Sequence, residues 1–221
     1  MRRPNGFPSS SSRRASDVPA DASYSVASST EVYRGKLMSF RRDEVVMPGG
    51  RLAVREVLVH PGAVVIAAVD ELGRIVMVRQ FRHPVRRYCT ELPAGLLDVD
   101  GEPPYRAAVR ELAEEAGLRA ASWHTLLDLA TSPGISDEIV RVLLARELST
   151  VDDADRYLPS DDEEVGMTVE EIDLDDAVRM ALAGELENAA TVAGVLAAAR
   201  ARDAGWPDLR PADSPWHRAI Q

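Results

Sequence analysis

Arg110-Glu111-Leu112-Ala113-Glu114-Glu115-Ala116-Gly117 is the stretch on which the reading of this chain turns. A helix from about Pro104 to Ala116 is predicted around it. Proline is tolerated in the first helical turn, and Gly117 can end the helix in a left-handed conformation. On that helix Glu111, Glu114 and Glu115 share one face. Tyr105, Ala108, Val109, Leu112 and Ala116 form the adjoining face and can pack on a sheet. Like charges at this spacing destabilise a helix by roughly 0.2–0.5 kcal/mol per pair. A bare Glu-x-x-Glu-Glu is most simply a solvated surface. Three carboxylates beside an apolar stripe also suit a hard cation such as Mg²⁺, with Mn²⁺ as a substitute, held between protein and substrate phosphates.

Upstream of the helix, Glu91-Leu92-Pro93-Ala94-Gly95 reads as a loop. Before it, Ala63 to Val69 and Arg74 to Val78 are short β-branched runs joined by Asp70-Glu71-Leu72-Gly73, the pattern of a buried hairpin. Further back, Val45-Val46-Met47 and Leu52-Ala53-Val54 flank Pro48-Gly49-Gly50, a hairpin turn. Downstream, Trp123 to Ala130, Glu138 to Ala145 and Val165 to Val169 read as strands, the last after an acidic loop from Asp152 to Glu164. Helices follow at Leu174 to Ala183 and Ala190 to Ala204. The expected organisation is a disordered tail at 1–29, an N-terminal β region at 30–60, a main domain at 61–205, and a proline-containing C-terminal tail at 206–221 that wraps on the surface or frays. Strands flanking one central helix, with further helices after them, argue for an α/β or α+β sandwich.

The residues around the carboxylates carry a resemblance. Gly95, Glu102, Arg110-Glu111-Leu112, Glu114-Glu115 and Gly117-Leu118 resemble the Nudix box: Gly, five residues, Glu, seven residues, Arg-Glu-apolar-x-Glu-Glu-x-Gly-apolar. Here six residues separate Gly95 from Glu102, and the extra one falls in Leu97-Asp98-Val99-Asp100-Gly101, where a loop absorbs it. Val78-Arg79-Gln80-Phe81-Arg82, Glu91-Leu92-Pro93-Ala94-Gly95 and Ser132-Pro133-Gly134-Ile135-Ser136-Asp137-Glu138 look like the ADP-ribose pyrophosphatase branch, and the longer loop like its actinobacterial members. With these, the likeness runs from about Tyr33 to Ala204.

The resemblance implies an α/β/α sandwich with a mixed sheet, preceded by an antiparallel β-hairpin region that pairs two copies into a homodimer. It implies Mg²⁺-dependent hydrolysis of ADP-ribose to AMP and ribose 5-phosphate, or of another nucleoside diphosphate sugar. Glu111, Glu114, Glu115 and the Ala94 carbonyl match the family's metal ligands. Arg110 and Glu102 are expected to be structural, Arg110 by pairing with a carboxylate, alongside Gly95 and Gly117. Glu164 in Asp161-Asp162-Glu163-Glu164-Val165 is the candidate for orienting or deprotonating the attacking water, with Glu163 as the alternate. Arg55 resembles an adenine-side residue, Arg82 a diphosphate-side arginine and Glu138 a residue beside the terminal ribose; each can equally be a surface ion pair. A Nudix-fold ligand sensor is the reading from another class. Such proteins append a DNA-binding domain and lose box carboxylates, whereas every box glutamate is present here.

Composition narrows the rest. The formal charge is −10, and Arg41-Arg42, Arg79, Arg82 and Arg86-Arg87 are scattered, which suits a small anion rather than nucleic acid. No run of about 18 apolar residues suggests a membrane span. Met1 to Ser29 is rich in Ser, Arg and Pro without an apolar stretch, so a disordered tail is a simpler reading than a secretory signal or transit peptide. The single cysteine, Cys89, precludes an internal disulfide and fits a cytoplasmic protein; nothing near it in sequence suggests a catalytic partner. His60, His83, His124 and His217 lack metal-like spacing and are given no role.

Overall fold

The computed structural model describes residues 23–151, 166–206 and 209–216. Three antiparallel strands come first: β1 (Ser25–Arg34), β2 (Ser39–Val46) and β3 (Leu52–Val59). The β2–β3 hairpin forms where the turn residues place it, with Val46 opposite Leu52. Gly49 and Gly50 take φ of 87° and 81° there, a backbone region costly for other residues. β1 begins at Ser25, inside the segment expected to be tail. Antiparallel pairing with β2 from Arg34–Ser39 to Ser25–Val46 extends the sheet that far.

The main domain is built on a mixed five-stranded sheet in the order β11-β8-β9-β4-β7. Its members are β4 (Ala63–Ala68), β7 (Ala94–Leu96), β8 (Leu118–Ala130), β9 (Ile139–Thr150) and the short β11 (Arg210–Pro211). β4 and β9 run parallel, and the other neighbours are antiparallel. A second sheet, β10-β5-β6, holds β5 (Arg74–Arg82), β6 (Arg87–Glu91) and β10 (Thr168–Asp173). α1 (Pro104–Ala116) covers one face, burying Ala107, Ala108 and Leu112 against Val64, Ile66, Leu143 and Ala145. α2 (Leu174–Ala183) and α3 (Ala189–Asp203) cover the other, over Val65, Ala67, Val142 and Leu144. The expected α/β/α layering is therefore present.

Several sequence expectations need correcting. β4 and β5 do not make a hairpin: they share one bridge, Val69–Ile75, and then enter different sheets. β4 over Val64–Ala68 and β5 over Ile75–Val78 are buried on both sides, so each needs partners that a two-stranded ribbon cannot supply. β4 takes β9 and β7, while β5 takes β6 and β10. Glu91–Gly95 is only partly loop, since Glu91 ends β6 and Ala94–Gly95 open β7 on the edge of β4. β8 and β9 are longer than expected and pair from Ala130–Ile139 to Leu118–Thr150. The strand expected at Val165–Val169 runs instead over Thr168–Asp173, where Asp173 caps α2 by accepting from the Asp175 N–H at 2.9 Å.

Candidate active site

The α1 helix has the bounds its sequence suggests. Pro104 opens it, and Gly117, with φ of 64°, closes it by donating to the Ala113 and Leu112 carbonyls. This sets Arg110 at the centre of an ionic cluster. Arg110 Nη2 donates to Glu102 Oε2 at 3.0 Å, and Nη1 donates to Glu111 Oε1 at 2.7 Å and Glu114 Oε2 at 2.9 Å. Arg110 thus links Glu102 to two of the helix carboxylates. The guanidinium pKa rises above its ordinary value, first through the Glu102 hydrogen bonds.

Glu111 lies against Gly95. A Cβ at position 95 would come within 2.0 Å of Glu111 Cδ, so any side chain there would occupy the carboxylate's place. Burial pushes the Glu111 carboxyl up to about 7; Arg110 opposes this, and the charges of Glu114 and Asp98 add to it. Glu115 Oε2 accepts from the Ala94 N–H at 2.9 Å, which brings the third carboxylate to the strand residue expected to supply a carbonyl ligand. Arg82 adjoins the same group. Burial works against its charge, but the hydrogen bonds of Glu91 and the charges of Glu91 and Glu115 keep its pKa above the ordinary value.

Arg82 is held from behind by a residue the sequence reading left without a role. Glu91 is 3 % exposed, and its Oε2 accepts from Arg82 Nε at 3.0 Å and Nη2 at 2.6 Å. Its Oε1 accepts from Asn188 Nδ2 at 3.1 Å, and the Asn188 carbonyl oxygen caps α3 at Thr191 N. The only hint in sequence is a carboxylate after Tyr88-Cys89-Thr90 and just before Leu92-Pro93. Glu138 accepts from the Thr131 hydroxyl, and its Oε1 lies 3.3 Å from His60 Nδ1, so His60 also has a local partner. Arg55 uses its guanidinium within the N-terminal sheet on the Val54 carbonyl and Met47 Sδ. Glu163 and Glu164 lie outside the described residues. Burial first, then Glu91 and Glu187, push the Cys89 thiol up, which keeps it protonated and a poor nucleophile.

Among the described residues, no three His, Cys, Asp or Glu groups already converge tightly enough to grip one metal ion. The donor set nevertheless fits a hard divalent cation. It offers three carboxylates and a nearby backbone carbonyl, all oxygen, with Glu111 in a notch that only glycine leaves open. Arg110 and the Ala94 N–H occupy those oxygens in the arrangement described. No helix among the described residues is long and apolar enough to cross a membrane.

An α/β/α domain with this carboxylate helix defines a Nudix protein, and residues 59–191 match the NUDIX domain family: the chain belongs to it. Residues 26–58 match a second family, the nucleoside diphosphate sugar hydrolase N-terminal domain. The chain is 46% identical over 197 residues to an ADP-ribose pyrophosphatase of Mycobacterium tuberculosis, spanning 89% of this chain and 93% of that protein. It is 40% identical over 161 residues to an ADP-ribose pyrophosphatase of Bacillus subtilis, spanning 73% and 84%. A crystal structure of an ADP compounds hydrolase shares the fold, with a TM-score of 0.71 at 20% identity over 83% of this chain and 96% of that one. Nudix hydrolases generally use divalent metals, in keeping with the donor set.

Proposed function

We propose that this Nudix hydrolase splits the diphosphate of ADP-ribose into AMP and ribose 5-phosphate, using Mg²⁺ or, in its place, Mn²⁺. The observation that carries this reading is Glu111 seated on Gly95, with Glu115 on Ala94 and Arg82 beside it. The names of the relatives at 46% and 40% identity supply the substrate. Glu111, Glu114, Glu115 and the Ala94 carbonyl would hold the metal. Bound divalent ions neutralise diphosphate charge and supply Lewis acidity.

The chain's own residues would do the rest. Arg82, kept in place by Glu91, offers its remaining N–H groups to a diphosphate oxygen. Glu164, with Glu163 as alternate, takes the proton of the attacking water. The water oxygen joins one phosphorus, the bridging P–O bond breaks, and the bridging oxygen leaves on the other phosphate. Glu138 accepts from a hydroxyl of the terminal ribose, and Arg55 stacks on the adenine.

Arg55 stands on an N-terminal sheet that exposes Val26, Val32, Tyr33, Leu52 and Val54, apolar surface that a second copy of the chain would cover. We therefore read the protein as a cytoplasmic homodimer whose small-molecule site involves neither nucleic acid nor membrane. Light scattering at micromolar concentration checks the dimer: a monodisperse monomer contradicts it. The substrate is tested with purified protein, Mg²⁺ and a panel of nucleoside diphosphate compounds, with products identified. ADP-ribose should be the fastest and should yield AMP and ribose 5-phosphate. Faster turnover of another nucleoside diphosphate sugar favours the alternative substrate, for which the match at residues 26–58 is the motive.

A further inference from the structure

Residues 209–216 return along the edge of the main sheet and finish over the face that α1 covers. β11 pairs with β8, and Arg141 of β9 secures the turn that follows. Arg141 Nη1 donates to the Ser214 carbonyl at 2.6 Å and Nη2 to the Pro215 carbonyl at 2.9 Å. Nε donates to Asp128 Oδ1 at 2.8 Å, and the Trp216 ring centre lies 4.9 Å from the guanidinium carbon. Arg141 is 1% exposed, and this segment supplies two of the four acceptor atoms that it meets, Asp128 supplying the other two.

The strand register shows what this fastening supports. Arg141 pairs with Val64 and Val64 with Gly95, so the three form one row across β9, β4 and β7, about 4.8 Å per strand. Gly95 is the residue on which Glu111 rests. Trp216 Cζ2 and Leu97 Cδ1 lie 3.6 Å and 3.5 Å from the place a Gly62 Cβ would take, and the Leu97 N–H donates to the Gly62 carbonyl at 3.1 Å. Trp216 thus stands where the Leu97–Glu102 loop leaves β7. It forms one wall of a cavity of about 250 Å³ whose other walls include Asp98 and Glu102. The indole and that loop face each other across the cavity, and Glu102 on the loop is a partner of Arg110.

We propose that Trp216, seated on Arg141, is a positioning residue for the carboxylate site: it backs the Leu97–Glu102 loop and so fixes the Glu102–Arg110 pair that orients Glu111 and Glu114. The direction of the effect follows from charge. Glu102 shares Arg110 with the helix carboxylates and takes part of its charge. If the loop slackens, Arg110 loses the Glu102 bonds, its charge falls to Glu111 and Glu114 alone, and it competes more strongly with a divalent cation for their oxygens.

The inference rests on the metal-dependent reading above, and its test separates the two. Full-length wild type, Trp216→Ala, Trp216→Leu and Trp216→Phe are titrated with Mn²⁺, free ion being followed by electron paramagnetic resonance; kcat, KM and the melting temperature are measured alongside. Trp216→Ala should weaken Mn²⁺ binding about tenfold, the scale on which outer supports of metal ligands act, and lower kcat with KM little changed. Trp216→Phe should keep most of the affinity, and Trp216→Leu should fall between. If the alanine variant does not fold, the leucine variant decides. Wild-type Mn²⁺ affinity in the variant, with or without a lower melting temperature, assigns Trp216 to fold stability alone and overturns the proposal. A wild type that binds no Mn²⁺ overturns the metal reading and the inference with it.

Discussion

Arg110 on α1 and Arg141 on β9 are both ringed by acceptors, yet their surroundings differ in charge balance and in water. The Arg110 side chain is 32% exposed and faces Glu102, Glu111 and Glu114, so negative charge outnumbers its cation. Arg141 is 1% exposed and meets Asp128, two backbone carbonyls and an indole, and a second cation, Arg210, shares Asp128 at 2.6 Å. Burial works against the Asp128 charge, but the bonds from Arg141 and Arg210 hold its carboxyl below the usual carboxylate range. An acidic excess can accept a further cation, whereas two arginines on one carboxylate leave no place for one and can only hold parts together. The same side chain therefore belongs to chemistry in one place and to architecture in the other, and the charge count around it decides which.

The largest expected effect lies on the architectural side. Asp128→Ala leaves the buried Arg141 without its carboxylate and should lower unfolding free energy by about 3 kcal/mol, measured by urea denaturation. Activity per folded molecule should fall far less than in the carboxylate variants of α1. A catalytic defect larger than the stability defect would break the division drawn here.

On the chemical side, Glu115→Gln should lower kcat at least about a hundredfold, roughly 2.7 kcal/mol in the barrier, while circular dichroism and the melting temperature stay close to wild type. Turnover like that of wild type at saturating Mg²⁺ would remove Glu115 from the metal set. Cation binding itself should be visible without substrate. At ten times its Kd, Mg²⁺ adds about 1.4 kcal/mol and should raise the melting temperature by roughly 3–5 °C over a sample in EDTA. Asp128→Ala should keep most of that increment, because Arg141 retains its bonds to the Ser214 and Pro215 carbonyls and with them the seat of Trp216.

The smallest effect concerns pH. Burial places the carboxyl pKa of Glu111 at about 7 in the folded protein, against an ordinary value of 4.5. The folded state therefore binds more protons than the unfolded state between these values. The metal-free protein should lose stability from this group as pH rises through that window, with no further change above it. Glu111→Gln, which does not titrate, should lack this component, so the wild-type and variant curves should converge toward low pH. Mg²⁺ affinity should rise over the same interval, because the cation needs the ionised carboxylate. Parallel stability curves for the two proteins would show that Glu111 does not titrate there.

Much of this was legible along the chain because it is local. The α1 bounds follow from Pro104 and Gly117, the β2–β3 hairpin from Gly49-Gly50, and the grouping of Glu111, Glu114 and Glu115 with Arg110 from helical spacing. Each needs only a few residues to meet their neighbours within a turn or two, and the backbone period fixes that meeting. The same spacing exposed the Nudix box, and with it the fold layers.

Long-range packing decided the remainder. β4 and β5 look like a hairpin because their turn is one, but being apolar on both faces they could be satisfied only by strands far away in sequence. Asn188 reaches Glu91 across 97 positions, and Arg141 reaches Ser214 and Pro215 across 73 and 74. No periodicity signals such contacts, since the chain between the partners can take any course that closes the core. The sequence by itself determined which carboxylates gather on the helix and what chemistry they suit. Only the tertiary structure decided which arginine stays wet beside them, which is buried as a fastening, and that Trp216 comes to rest behind the loop carrying Glu102. Burial and charge balance are properties of the assembled surroundings rather than of any residue type.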